Sequence, residues 1–586
     1  MVLSDDTARR AGILLAVFAG AFHPSVPADA EPAVAPEPAL KLAASSEFAD
    51  PGPAPEPAPM TVDPRERKIA RERDLAVLAA NPLCRVDSSA SRNLVGALSA
   101  CDNRFRLPDY GDFFWPPRTV LLHNRALVLF QMHQTDRAFE ALDQADAIAA
   151  QSSDSFWKWS GGVNGNLLRA VEAIGAGQAA RARGLLESVS GLRPFAPSFY
   201  PGIDFVDSML ERDPARLASR LEGRTKYDPN AYRILIYLNM LIGRNDQALR
   251  AASQYSIVKP LLRHGWKFEN PAVEVEQARE NLNMLCVSAY VAALEGKASD
   301  KDAYLHLAQS VVDRYHEPNP AMPVSDKERK FRAQTGTVLV SALAAWEGAL
   351  QLRQDLGDKS VAAIRADFAA SSSRQDVLPA FIEMIATRGR AAKADAEQAR
   401  QIVDNFVTKG FFADTRGGIT GLQKLLPAIE NTFSISKFDN NTNDWLVGTY
   451  AGYSQRREEG TAADIRTVHY ETGEGTTILA EELLMLAIAN YARKDGYDGF
   501  VILSRRTIGR ETNIAFNGPV QFVGYDAQAR VMMIRGGVIP QGRNILPGRI
   551  IGVAEVEQAL GPRFSAYAAS KAAKEAADKA AKKASK

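Results

Sequence analysis

The chain has 586 residues, 46% of them apolar and 24% charged, with a net charge of +1. That length exceeds what a single core organises and fits two or three domains. The near-zero net charge excludes a global basic field for nucleic acid, and no apolar run reaches the eighteen residues of a membrane-spanning helix.

Residues 1–30 read as a secretory signal peptide. Arg9 and Arg10 supply a basic start, Ala11–Phe22 is a twelve-residue apolar stretch, and Ala28-Asp29-Ala30 has the small-x-small form of a cleavage site. Twelve residues rise only about 18 Å as a helix, short of a bilayer core of roughly 30 Å. An uncleaved inner-membrane anchor is the competing reading. The expected location is the periplasm. The twin arginine lacks the usual surroundings of a folded-export signal, so general secretion is favoured. Residues 31–64 form a linker with nine prolines among alanine and glutamate, a composition that cannot bury a core.

Of three cysteines, Cys84 and Cys101 are close in sequence and are expected to form a disulfide in an oxidising compartment. Cys286 sits in an apolar helical pattern and reads as a core residue. No cysteine follows the leader in a lipid-attachment setting.

From 65 to 430 apolar residues recur at helical spacing. Three segments share a form: His123–Asp146 with Ala126 and Ala138, Leu167–Ser188 with Ala170, Gly177 and Ala182, and a third with Ala231, Leu235, Gly243 and Ala248. Small residues there let one helix approach another closely. The pattern resembles a degenerate tetratricopeptide repeat with insertions. That resemblance implies a mainly α fold, an α-solenoid whose concave groove binds peptides or protein partners. The aromatic clusters around Trp115, Trp157 and Trp159 are the candidate partner-binding residues, against a plain packing role.

Residues 431–562 change character. Thr432–Phe438 reads as a strand, Asn440–Asn443 as a turn, and Trp445–Tyr453 as a strand or an ordered loop. Asp464–Tyr470 is a strand and Thr476–Lys494 an amphipathic helix, with Thr476 or Thr477 as N-cap and Gly496 as its C′ residue. Phe500–Leu503 and Val520–Ile534 are strands, with a bulge at Gly524. Pro547–Leu560 is a helix. The sum is a small α/β sandwich domain. Its Gly-Tyr-Asp-x-Phe segment, with Tyr497, Asp498 and Phe500, resembles a domain of small exported proteobacterial lipoproteins without assigned chemistry. Residues 563–586 are an Ala/Lys-rich tail with six lysines, open to contact with a cell-wall polymer but better read as a solvated helix or frayed tail.

The motifs for chemistry are sparse. There is no HExxH, CxxC or GxSxG, so the sequence names no catalytic residue, metal or cofactor. His123 and His133 read as structural. Glu481 and Glu482 read as first-turn acids suited to the helix dipole. The sequence thus predicts an exported scaffold or adaptor that holds protein partners in the cell envelope. The alternative is an envelope carbohydrate-binding protein or hydrolase using the C-terminal domain. That alternative requires His469, Glu471, Asp498 and Arg505 to meet at the strand ends.

Overall fold

A computed structural model describes residues 84, 93–106, 118–151, 160–191, 193–211, 213–255, 271–316, 326–358, 418–428, 442–444, 449–458, 464–472, 476–513, 520–540 and 545–562. The leader, linker, lysine-rich tail, Thr432–Phe438, Trp115, Trp157 and Trp159 lie outside the described residues. Among those described, no helix is long and apolar enough to cross a membrane.

The first part is helical: α1 Leu94–Arg106, α2 Arg118–Gln131, α3 Thr135–Gln151, α4 Gly162–Gly175, α5 Ala179–Ser190, α6 Tyr200–Leu210, α7 Pro214–Arg224, α8 Ala231–Leu241, α9 Asn245–Gln254, α10 Pro271–Leu294, α11 Ala298–His316, α12 Asp326–Asp358 and the short α13 Gly418–Gln423. Four antiparallel pairs, α2–α3, α4–α5, α8–α9 and α10–α11, share one turn. His133, Gly177, Gly243 and Gly296 each take a φ between 58° and 74°. The next N–H, on Gln134, Gln178, Arg244 or Lys297, reaches back to the carbonyl of Leu129, Ala173, Asn239 or Ala292 at 2.8–2.9 Å. This double-bonded cap satisfies carbonyls that the helix end would leave bare. Glycine supplies the left-handed geometry at three turns, and an exposed histidine does so at the fourth.

Ala138, Ala182 and Ala248 each lie five residues past the turn residue and are fully buried, as are Ala126 and Ala170 on the preceding helices. The hairpins are therefore real. Their turn residues, however, are 44, 66 and 53 residues apart, so the pairs do not follow one repeat length. Two separate apolar cores organise the helices. The first gathers residues from Cys84 to Val206 with Leu422 and Leu426, and the second runs from Leu217 to Trp346. Cys286 is a buried member of the second core, where burial pushes its thiol up.

Cys84 and Cys101 are bonded, with Cα atoms 4.5 Å apart. The bridge fixes the chain ahead of α1 to the first core. Closing a loop of 17 residues contributes about 3 kcal/mol by the loop-entropy model. Replacing both cysteines by serine is expected to remove about that much stability, read from urea midpoints. Reduction of the wild type should give the same loss. An unchanged midpoint would show that the bridge does not constrain the unfolded chain.

The C-terminal part is an antiparallel sheet with strand order β1-β2-β3-β5-β4-β6, formed by β1 Thr442–Asp444, β2 Thr449–Arg457, β3 Ile465–Thr472, β4 Gly499–Asn513, β5 Val520–Ile534 and β6 Ile551–Gly552. Helix α14, Thr477–Lys494, covers one face, and a last helix runs over 553–562. Asn440–Asn443 is not simply a turn, because Thr442 and Asn443 pair with Ala451 and Tyr450. The final helix starts at 553 rather than Pro547, because Pro547–Arg549 forms one 3-10 turn before β6.

The caps of α14 follow the sequence. The Thr476 hydroxyl accepts the Leu479 N–H at 3.3 Å, and Gly496 turns with φ +75°. Its amphipathic reading fails, since every residue from Ile478 to Ala489 is buried. The Gly-Tyr-Asp-x-Phe segment anchors this end of the sheet. The Tyr497 hydroxyl donates to Asp464 at 2.7 Å, and the Arg466 and Arg535 guanidiniums lie 5.6 and 4.8 Å from its ring centre. Arg466 holds the Asp464 carboxyl below its usual range. Phe500 is fully buried.

Candidate functional site

Among the described residues, several buried charged side chains lie where the sheet domain meets the helices: Arg193, Glu481, Glu482, Arg505 and Arg549. The first turn of α14 holds no acid, so the sequence reading of Glu481 and Glu482 as first-turn acids fails: they sit in its second turn and are buried. Successive helical residues point about 100° apart, so Glu481 and Glu482 reach different partners. Glu482 forms an ion pair with Arg193, and the two side chains are 1% and 2% exposed. Glu481 accepts the Ser198 N–H at 3.1 Å and the Ser198 hydroxyl at 2.7 Å. Thr507 on β4 donates to the same carboxylate at 3.5 Å. Ser198 lies in a 3-10 turn, Pro197–Phe199, that abuts α14.

Arg505 crosses the seam from the sheet. It donates to the carbonyls of Phe195 and Tyr227, each at 3.1 Å. Its inward direction comes from a bulge. Ile502 pairs with Val531, but the next pairs are Ser504 with Arg530 and Arg505 with Ala529. Leu503 is the extra residue, so Arg505 and Thr507 join Phe500 and Ile502 on the face toward α14. Phe195, from the helical part, is buried in the core of the sheet domain, its ring edge-on to Tyr227 at 5.2 Å.

Two further contacts extend the seam. Glu555, on the last helix, accepts Lys226 Nζ at 2.8 and 2.9 Å and the Tyr227 hydroxyl at 2.7 Å. Burial works to raise the Glu555 carboxyl, and these hydrogen bonds outweigh it and hold the pKa below its usual range. Arg549 donates to the carbonyls of Gln254, at 3.3 Å, and Ile502, and lies over the Tyr232 ring. The sheet domain thus touches both helical cores, the first through Arg193, Ser198 and Ile478, the second through Tyr232 and Gln254.

Burial is the largest influence on the Glu481 carboxyl and raises it to about 7, against Arg505 and the Ser198 bonds. Burial also raises Asp228, whose carboxylate accepts the Asn230 N–H at 3.0 Å. Burial pulls His123, inside the first core, down to about 4, which fits a structural residue.

The residues proposed for a ligand in the sheet domain do not meet. Arg505 faces α14, while His469 is on the opposite face, its Nδ1 3.7 Å from Asp526 Oδ1. Glu471 shares the His469 face. Asp498 lies at the start of β4, about 20 Å along the strand from Arg505, with its main chain bonded to Ile534 and Val553. Among the described residues, no group of three His, Cys, Asp or Glu side chains is placed to hold a metal. The seam residues that matter most, Arg193, Phe195, Ser198 and Glu482, carry no motif. No family model, curated protein or solved structure matches the chain.

Proposed function

We propose that this chain is an exported scaffold of the cell envelope, in which helical hairpins of degenerate tetratricopeptide type bind protein partners and present a firmly docked α/β domain. The observation that carries this reading is the seam itself. Its buried carboxylates and guanidiniums bond to each other, to hydroxyls and to main-chain groups across the two parts, an arrangement suited to holding shape. The sheet domain bridges two helical cores and so fixes the angle between them. The Cys84–Cys101 disulfide supports an oxidising compartment and, with the leader, a periplasmic location.

The test combines processing with contact. Mature protein isolated from cells is expected to begin at Glu31. Photo-crosslinking residues at Leu307 and Val338, exposed apolar positions on α11 and α12, are expected to capture the same protein partner in the envelope. A second reading, a hydrolase or carbohydrate binder, now rests on the outer sheet face, where Ser454 pairs with His469 and His469 lies beside Asp526. Capture of cell-wall material alone, through a crosslinker at Ser454, would favour that reading over the scaffold.

A further inference from the structure

Residues 418–428 lie far from the helical hairpins in sequence, yet they fill a groove between α2, α4 and α6. Leu422, on α13, is fully buried and Leu426 is 6% exposed; both belong to the first core, and Ile419 and Leu425 pack against it. Gly202 of α6 offers these two leucines bare backbone, since a Cβ there would lie 3.5 Å from each. A turn closes the segment, with the Leu425 and Leu426 N–H groups donating to the Leu422 carbonyl at 2.8 and 3.1 Å. Two side-chain amides pin it. Gln423 Nε2 donates to the Leu127 carbonyl on α2, and Asn164 Nδ2 on α4 donates to the Pro427 carbonyl, each at 3.0 Å. The polar fit is half made. Asn164 is fully buried, and among the described residues nothing donates to its Oδ1. Proline at 427 has no N–H to offer it. Gln423 Oε1 is buried and likewise without a donor among the described residues. Each unpaired buried acceptor weakens the contact, whereas the leucines fit closely.

We propose that this groove is a peptide-binding site and that residues 418–428 are its internal occupant, displaced by a partner segment that carries leucines four residues apart followed by a residue with an N–H in place of Pro427. The tethered segment competes at an effective concentration on the order of mM, and a partner gains entry by also satisfying Asn164 Oδ1. This inference rests on the partner-binding reading and assigns it a site. Its test uses the chain's own peptide as probe, so a closed groove and a missing envelope partner give different results: a closed groove leaves the crosslinks at Leu307 and Val338 unaffected.

The experiment measures fluorescence anisotropy of two labelled peptides, residues 418–428 as they stand and the same peptide with Pro427→Ala. Each is titrated with the full chain, as wild type and as the double variant Leu422→Ala, Leu426→Ala. The double variant, whose own segment has lost both anchors, is expected to bind both peptides, and wild type to bind them at least about 10-fold more weakly. The Pro427→Ala peptide is expected to bind the double variant about 10-fold tighter than the natural one, and adding Asn164→Ala to erase that difference. Alongside, amide exchange of the wild type through a urea titration compares Leu425 and Leu426 with Leu167 and Leu168 of α4. The segment's amides should open locally, well below the urea concentration that opens α4. That comparison decides the matter if the double variant does not fold. Opening of all four amides together, a folded double variant that binds neither peptide, or equal affinity for the two peptides overturns the proposal.

Discussion

Replacing Arg193 with alanine is expected to destabilise the protein by about 3–5 kcal/mol, one of the two largest single-residue losses anticipated here. The reason lies in what remains. Glu482 is almost entirely buried and would keep its carboxylate without its cation. Losing the partner of a buried charge leaves the other's desolvation uncompensated. The Arg193 guanidinium also lies 5.5 Å from the Phe199 ring centre, a contact that alanine cannot make. One control separates charge from packing. The double variant Arg193→Met, Glu482→Leu should recover most of the loss, because apolar groups of similar size need no partner. A single variant within 1 kcal/mol of wild type in urea denaturation would show that the pair does not hold the seam.

Phe195→Ala is the second large effect, also about 3–5 kcal/mol. Phe195 is 1% exposed and lies among residues of the sheet core, although the chain around it belongs to the helical part. Its removal leaves a cavity between Tyr227 and α14 and loosens the loop whose carbonyl receives Arg505. The loss should appear in both parts at once. Thermal unfolding followed by far-UV circular dichroism should keep one transition at a lower temperature. Separation of a strand signal from the helical signal would indicate that Phe195 serves the sheet alone.

Much of the local structure is legible in the sequence, because local structure has local causes. The period-two run of Val520–Ile534 gives a strand with those bounds, and Gly524 marks its irregularity. Gly177, Gly243 and Gly496 mark helix ends because L side chains disfavour the geometry there. Thr476 declares a helix start. The seam is not legible. The sequence suggests Glu481 and Glu482 as first-turn acids, whereas they lie one turn further in, and their partners Ser198 and Arg193 are 283 and 289 residues away. The Arg505 direction depends on a single bulged residue, and strict alternation would place Ser504 and Arg506 inward instead. The burial of α14 from Ile478 to Ala489 is written in its residues, ten of twelve being apolar on every side, but the partners it packs against, the sheet and the 3-10 turn, are not. The small residues likewise mark the helix hairpins, while the longest spacing between turns reflects α6 and α7 lying between the second and third of them.

The account rests on the two parts behaving as one body, and amide exchange of the full chain through a urea titration tests that most directly. Two sets of protected amides report on it: those of β4, Phe500–Ile502, and those of α8, Leu235–Leu238. Both are expected to open at the same urea concentration, with Arg193→Ala moving both midpoints down together. If β4 opens well before α8 in wild type, or if Arg193→Ala moves one set and leaves the other in place, the seam does not weld the sheet domain to the helices.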